Sequence, residues 1–183
     1  MNSRALFALC AFTLLLEGCA KDDLNSAGFI RDSKVGPIPY YLKIPIGFSD
    51  YQLDLDKQLT VEGIDIGRHL FYDPILSRNF NTSCASCHEQ KNGFSDPRKK
   101  SIGTNGEETS FHSMPLTNIA WMDQFFWDGR APTRESQALQ PVNNPHELDM
   151  TWQEVAQRLK EHSTYPAKFR AAFGEVEIDS NLV

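Results

Sequence analysis

Cys84-Ala85-Ser86-Cys87-His88 decides how the rest of the chain is read. Two thiols separated by two residues can each form a thioether with one vinyl group of a porphyrin. The histidine that follows then stands where it can ligate the iron as an axial ligand. A zinc site would need about four nitrogen or sulfur ligands, and the other two cysteines, Cys10 and Cys19, lie far away near the N-terminus. A redox pair would sit in a thioredoxin-like βαβ context, which the flanking sequence does not supply. The motif therefore calls for one covalent haem c, held by Cys84 and Cys87 with His88 on the iron.

The chain has 183 residues, which suits one domain once a leader is set aside. With 40% hydrophobic residues and twelve Phe, it can build a core around a porphyrin. The formal net charge of −6 argues against a nucleic-acid partner. Arg98-Lys99-Lys100 is the basic cluster that stands out, and it reads as a solvated loop.

Residues 1–19 read as a leader. Arg4 supplies a short positive region, residues 5–16 are rich in apolar side chains, and the run is too short to span a bilayer. Leu16-Glu17-Gly18-Cys19 is similar to a lipobox, in which the cysteine carries the lipid anchor. Glu17 is unusual at its position, so simple cleavage near Ala20 is the alternative. Both readings export the chain to the periplasm. Export agrees with the haem, because c-type attachment in bacteria takes place outside the cytoplasm.

Residues 20–50 read as an exported linker: 21–33 are polar and tether-like, and Pro37, Pro39 and Pro45 keep the following stretch extended. The first good helix runs from about Val61 to Tyr72, with Ile66 and Leu70 one turn apart, and Pro74 ends it. A short helix is expected at the cysteines, and residues 93–108 read as a loop. Thr133 caps a helix through Leu139 that Pro141 stops. Thr151-Trp152-Gln153-Glu154 is a capping box opening a helix with Val155 and Leu159 on one side. Pro166 starts a further helix, carrying Phe169 and Phe173, that Gly174 ends. No alternating strand pattern of useful length is present. The expected fold is mainly α, a cytochrome c-like haem domain with long loops over residues 51–183.

Five stretches fall in a telling order: Gly67-Arg68-His69-Leu70-Phe71-Tyr72-Asp73-Pro74, Ser83 to His88, Phe125-Phe126-Trp127-Asp128-Gly129-Arg130-Ala131, Glu135-Ser136-Gln137-Ala138 and Pro145-His146-Glu147-Leu148-Asp149-Met150. The series resembles the N-terminal haem domain of bacterial dihaem cytochrome c peroxidases and their MauG-like relatives, over roughly Leu53 to Gly174. The resemblance implies a peroxidatic haem at which hydrogen peroxide is reduced to water. It also implies a second haem domain that follows and feeds electrons in from a donor cytochrome or cupredoxin. This chain ends at Val183 with one C-x-x-C-H, so it is expected to be truncated before that second domain.

By the same resemblance His88 is the proximal ligand and Glu147 the distal acid/base. Gln137 is the amide that hydrogen-bonds bound peroxide, and Trp127 is the tryptophan that helps electrons cross between haems. Asp128 and Arg130 would brace the turn that holds Trp127. Thr104 aligns where the best-known peroxidases carry a releasable His, and a hydroxyl is a poor ligand for haem iron. The iron is therefore expected to be accessible without prior reduction, as in the MauG-like branch. His112 stands where the family often has an Asn contacting calcium, which puts calcium in doubt. Other candidates for a sixth ligand are His112, Met114, Met122, His146 and Met150; Met114 would favour electron transfer over peroxide chemistry. Two alternative functions stay open at this point: a monohaem electron-transfer cytochrome c, and a MauG-like oxidant of a partner protein.

Overall fold

The structure is a computed structural model and describes residues 36–49 and 58–180. The leader, the lipobox at Cys19 and the first part of the linker lie outside the described residues. Among the described residues five α-helices follow one another: α1 (Val61–Tyr72), α2 (Cys84–Cys87), α3 (Arg134–Asn143), α4 (Trp152–Glu161) and α5 (Tyr165–Phe173). Short 3₁₀ turns punctuate the loops between α1 and α3. Among the described residues the only β pairings are isolated bridges. The fold is mainly α.

Local chemistry sets the helix starts. Thr60 Oγ1 accepts the Gly63 N–H at 3.0 Å and caps α1. At the other end Asp73 leaves the helix, and its carboxylate accepts the Ile75 N–H at 2.9 Å across Pro74. The same carboxylate receives the Tyr165 hydroxyl at 2.8 Å, which ties α5 to the end of α1. At α4 the capping box is complete: Glu154 N–H reaches Thr151 Oγ1, and Glu154 Oε2 accepts the Thr151 N–H.

The main core forms where α4 and α5 meet α1. Val155 and Leu159 are fully buried, and Ile66, Tyr165 and Phe169 close around them. Phe169 enters this core, whereas Phe173 one turn later stays exposed. A smaller cluster of Met114, Phe125 and Ala131 stands in the loop region. Residues 36–49 also join the domain: Ile38 N–H bonds the Glu62 carboxylate and Trp121 Nε1 donates to the Ser49 carbonyl.

One expectation fails. Pro141 does not stop its helix; it lies inside α3, which runs on to Asn143. Proline removes one helical hydrogen bond, but Val142 is buried in the main core and rewards the extra residues. The N–H groups of Leu148 and Met150 bond the carbonyls of Pro141 and Val142, so the last turn is held from outside.

The approach to the haem motif is held by Arg158 of α4. Its guanidinium donates to the carbonyls of Ile75, Ser77 and Arg78 and stacks 3.9 Å from the Phe80 ring centroid. Ser77, fully buried, accepts the Thr82 N–H. The loop that delivers Cys84 is thereby fixed to the main core.

Candidate haem site

A cavity of about 730 Å³ opens beside α2, within the range of roughly 300–1,000 Å³ usual for cofactor sites. Leu70 and Phe71 of α1, Met114, Phe126, Val142 and Leu148 give it apolar walls. Cys84, Cys87 and His88 line it together. The single turn of α2 brings this about. Ser83 N–H bonds Ser86 Oγ at its start, and residues three apart share a helix face. Both thiols are free. Burial pushes Cys84 up to about 11 and raises Cys87 as well, so both are neutral thiols.

His88 follows directly, its N–H bonded to the Cys84 carbonyl. Its Nδ1 lies 3.0 Å from the Phe94 carbonyl oxygen. A carbonyl only accepts, so Nδ1 carries the proton and Nε2 keeps the lone pair. Two thiols at the right spacing, an imidazole with a basic Nε2 and an apolar cavity fit a c-type haem.

The distal candidates share this cavity. Gln137 lies on α3 and is buried, and Glu147 lies in the turn after α3; both line the same space as His88. Burial raises the Glu147 pKa, while the Asn144 amide and the Arg130 charge pull it down. Asn144 Nδ2 donates to Glu147 Oε1 at 2.8 Å. Trp127 is 65% exposed on the cavity lining, and its Nε1 donates to the His112 carbonyl at 2.9 Å. Arg130 pairs with Asp128 at 2.9 Å and stacks 3.5 Å from the Phe126 ring centroid. It therefore braces the Trp127 turn, and it also lines the cavity.

The family described as "Di-haem cytochrome c peroxidase" matches residues 61–183. This chain belongs to the di-haem cytochrome c peroxidase family. "Methylamine utilization protein MauG" of Methylorubrum extorquens is 40% identical over 119 residues, covering 65% of this chain and 34% of that protein. "Cytochrome c peroxidase Ccp" of Escherichia coli is 35% identical over 140 residues, covering 76% of this chain and 27% of that protein. Among solved structures, "a MauG-like protein associated with microbial copper homeostasis" superposes with a TM-score of 0.72 at 29% identity, covering 78% of this chain and 43% of that one. The chain spans about a third of the length of the curated relatives it matches. The fold is thus that of a mainly α, cytochrome c-like domain of the di-haem cytochrome c peroxidase family.

Within that family frame, the remaining sequence candidates separate. Thr104 is buried away from the cavity lining; its hydroxyl donates to Asn81 Oδ1 at 2.8 Å and accepts the Asn79 N–H. His112 lines the cavity, but its Nδ1 and Nε2 meet the Arg98 carbonyl and the Ser95 hydroxyl. Met114 also lines it, with its sulfur accepting the Phe126 N–H at 3.3 Å. His146 pairs with Glu107, Met150 is in the main core, and Met122 is exposed. None of these last three lines the cavity.

Arg98-Lys99-Lys100 lies in a loop with Arg98 and Lys99 exposed, as its sequence predicts, and Arg98 also reaches inward. Its guanidinium grips both oxygens of Asp96, whose side chain is fully buried. Burial alone would raise the Asp96 pKa, but bonds from Arg98 and Ser101 outweigh it and bring it to about 2. Three site features carry no strong sequence signal: the Phe94 carbonyl, Arg130 as a cavity residue, and Asn144. Only Asn144 could have been suspected, since Asn-Pro marks a turn start.

Proposed function

We propose that this chain is the peroxidatic domain of a di-haem protein, carrying one covalent haem c on Cys84 and Cys87 with His88 as proximal ligand, and that it reduces hydrogen peroxide to water in the periplasm. The observation that carries this reading is Glu147, a half-buried carboxylate sharing a cavity with the C-x-x-C-H residues. When bound, haem supplies the iron that receives peroxide and passes on the electrons that break its O–O bond.

The chain's own groups supply the rest. Glu147 takes the proton from one peroxide oxygen and returns it to the other, so that the leaving oxygen departs as water. Burial raises its pKa toward the range where it can both accept and release a proton. The Gln137 amide hydrogen-bonds the peroxide. The full reaction consumes two protons and two electrons for each peroxide. Trp127, exposed on the cavity lining, offers the entry for electrons from a second haem domain or from a donor cytochrome or cupredoxin. Export by the leader, with Cys19 as lipid anchor or simple cleavage near Ala20, belongs to the same reading. Among the described residues no helix is long and apolar enough to cross a membrane.

The test is a single addition of peroxide to the holoprotein in a stopped-flow spectrometer. Glu147→Gln should slow the spectral change by roughly 10²–10⁴ while cyanide still binds the ferric protein. Equal rates in both proteins would reduce Glu147 to a loop carboxylate. A second reading, oxidation of a partner protein, draws on the exposure of Trp127, which leaves the cavity lining reachable by a docked protein. The electron-transfer cytochrome reading loses ground because the Met114 sulfur is engaged by Phe126. A ferric spectrum that ignores cyanide and azide would restore it.

A further inference from the structure

We infer that Asn144 is a positioning residue that sets both the place and the proton affinity of Glu147. The inference rests on Glu147 being the proton carrier proposed above.

Asn144 builds the turn on which Glu147 stands. Its carbonyl accepts the N–H groups of Glu147 at 2.9 Å and Asp149 at 3.0 Å. Its side-chain Oδ1 accepts the His146 N–H at 3.0 Å, and its Nδ2 donates to Glu147 Oε1 at 2.8 Å. One side chain thus accepts from the backbone and donates to the carboxylate. Asp in its place would keep the first bond and oppose the second. Ala would lose both. The turn is also held from the far side. Thr104 N–H bonds the Glu147 carbonyl at 2.7 Å, and a Cβ at Gly103 would overlap the His146 carbonyl, so the 103–104 backbone presses directly on this turn. Glu147 is therefore fixed at both its main chain and its carboxylate.

A donor aimed at a carboxylate favours the ionised form, and burial favours the neutral one. Asn144 counters the burial of Glu147 and keeps it a usable base. Other charged or titratable groups share the space. Arg130 and Arg134 line the cavity as cations, Asp128 is paired with Arg130, and His88 and His112 share the same lining. His146 and Glu107 pair outside it. Cys84 and Cys87 carry no titrating proton once they are thioethers. Arg130 acts in the same direction as Asn144 through its charge, but Asn144 stands at hydrogen-bond distance from the carboxylate.

The experiment uses the holoprotein with two probes. One is the rate of reaction with a single addition of peroxide. The other is the association rate of cyanide, which arrives as HCN and leaves its proton with a base in the cavity without turnover. Both are measured against pH. Wild type should show a limb whose midpoint is that of Glu147, and Glu147→Gln should remove it. Asn144→Ala should raise the midpoint by about one pH unit, about a tenfold slowing below it. Asn144→Asp, which retains the acceptor for His146 and so the turn, should raise it further, as a coupled carboxylate pair. Should Asn144→Ala fail to fold, the Asp variant alone decides. If Glu147→Gln removes the limb while both Asn144 variants keep the wild-type midpoint, Asn144 is only a turn former and this inference is overturned. If Glu147→Gln leaves both pH profiles unchanged, the proposed role of Glu147 has failed instead, and with it the ground for this one.

Discussion

The main core, where Ile66, Val155, Leu159 and Phe169 meet, is held by apolar side chains packed between helices. The wall around Met114, Phe125 and Ala131 is built another way. There the chain runs in loops, and side chains hold the backbone in place of helical bonds. Trp127 bonds the carbonyl of His112, His112 bonds that of Arg98, and Ser95 bonds that of Ser113. Backbone groups without a helix or sheet need such partners. The difference shows how the two regions divide their roles. Packing supplies stability, and the polar loop frame supplies placement.

The comparison breaks first if the cores turn out alike. Leu159→Ala, at a site with no exposure, should cost about 2–5 kcal/mol in urea unfolding, with little change in the ferric spectrum. A spectral change as large as the stability change would show that the main core and the cavity are one unit.

The next effect is on acid stability. Asp96 is depressed to about 2 in the folded chain, against about 3.9 when unfolded. A depressed carboxylate contributes stability that is fully present above the unfolded value and is lost as pH falls toward the folded one. Unfolding between pH 4 and pH 2 should therefore reveal a loss of about 2 kcal/mol, which Asp96→Asn removes. An identical acid limb in the variant would remove Asp96 from the frame.

Smaller still is His112→Ala, which takes away two ring contacts and should cost about 1–2 kcal/mol. Its main signature should be a shift in Trp127 fluorescence at unchanged helical circular dichroism. If the helical signal falls with it, the loop frame supports the core after all. Thr151→Ala should cost about 1 kcal/mol through the lost cap of α4, seen as a lower melting temperature with the Trp127 signal intact.

Helices were legible where local chemistry sets them. Thr133 and Thr151 both cap as read, and α1 has the bounds that its apolar spacing and Pro74 predict. Pro141 misled because the gain that overrides it, burial of Val142, is tertiary. The solvated loop of Arg98-Lys99-Lys100 was legible, but the bond from Arg98 to Asp96 was not, because that partner lies beneath the surface. At the site, the grouping of Cys84, Cys87 and His88 is legible from five consecutive residues, and all three line the cavity. Glu147 reads alone as an ordinary loop carboxylate, and only the family pattern singled it out. Its burial and its bond to Asn144 depend on the turn closing over the cavity. Phe94 acts through a carbonyl that every residue has, so its identity gives no signal.

Three phenylalanines, Phe80, Phe94 and Phe126, have left-handed backbones with φ of 53°, 56° and 64°. For a bulky side chain such a conformation costs of order 1–3 kcal/mol and persists only where its surroundings over-determine it. Phe94 is held by His88, and Phe126 by Arg130 and Met114. Held in this way, the turns at Phe94 and Phe126 are latches beside the cavity. In a chain unable to attach haem, such as Cys84→Ala/Cys87→Ala, the amides near Phe94 and Phe126 should exchange with deuterium early, while those of α4 remain protected. Maturation would then be the event that shuts the latches, and a haem-free pool in the cell would be opened to proteases at these two loops first.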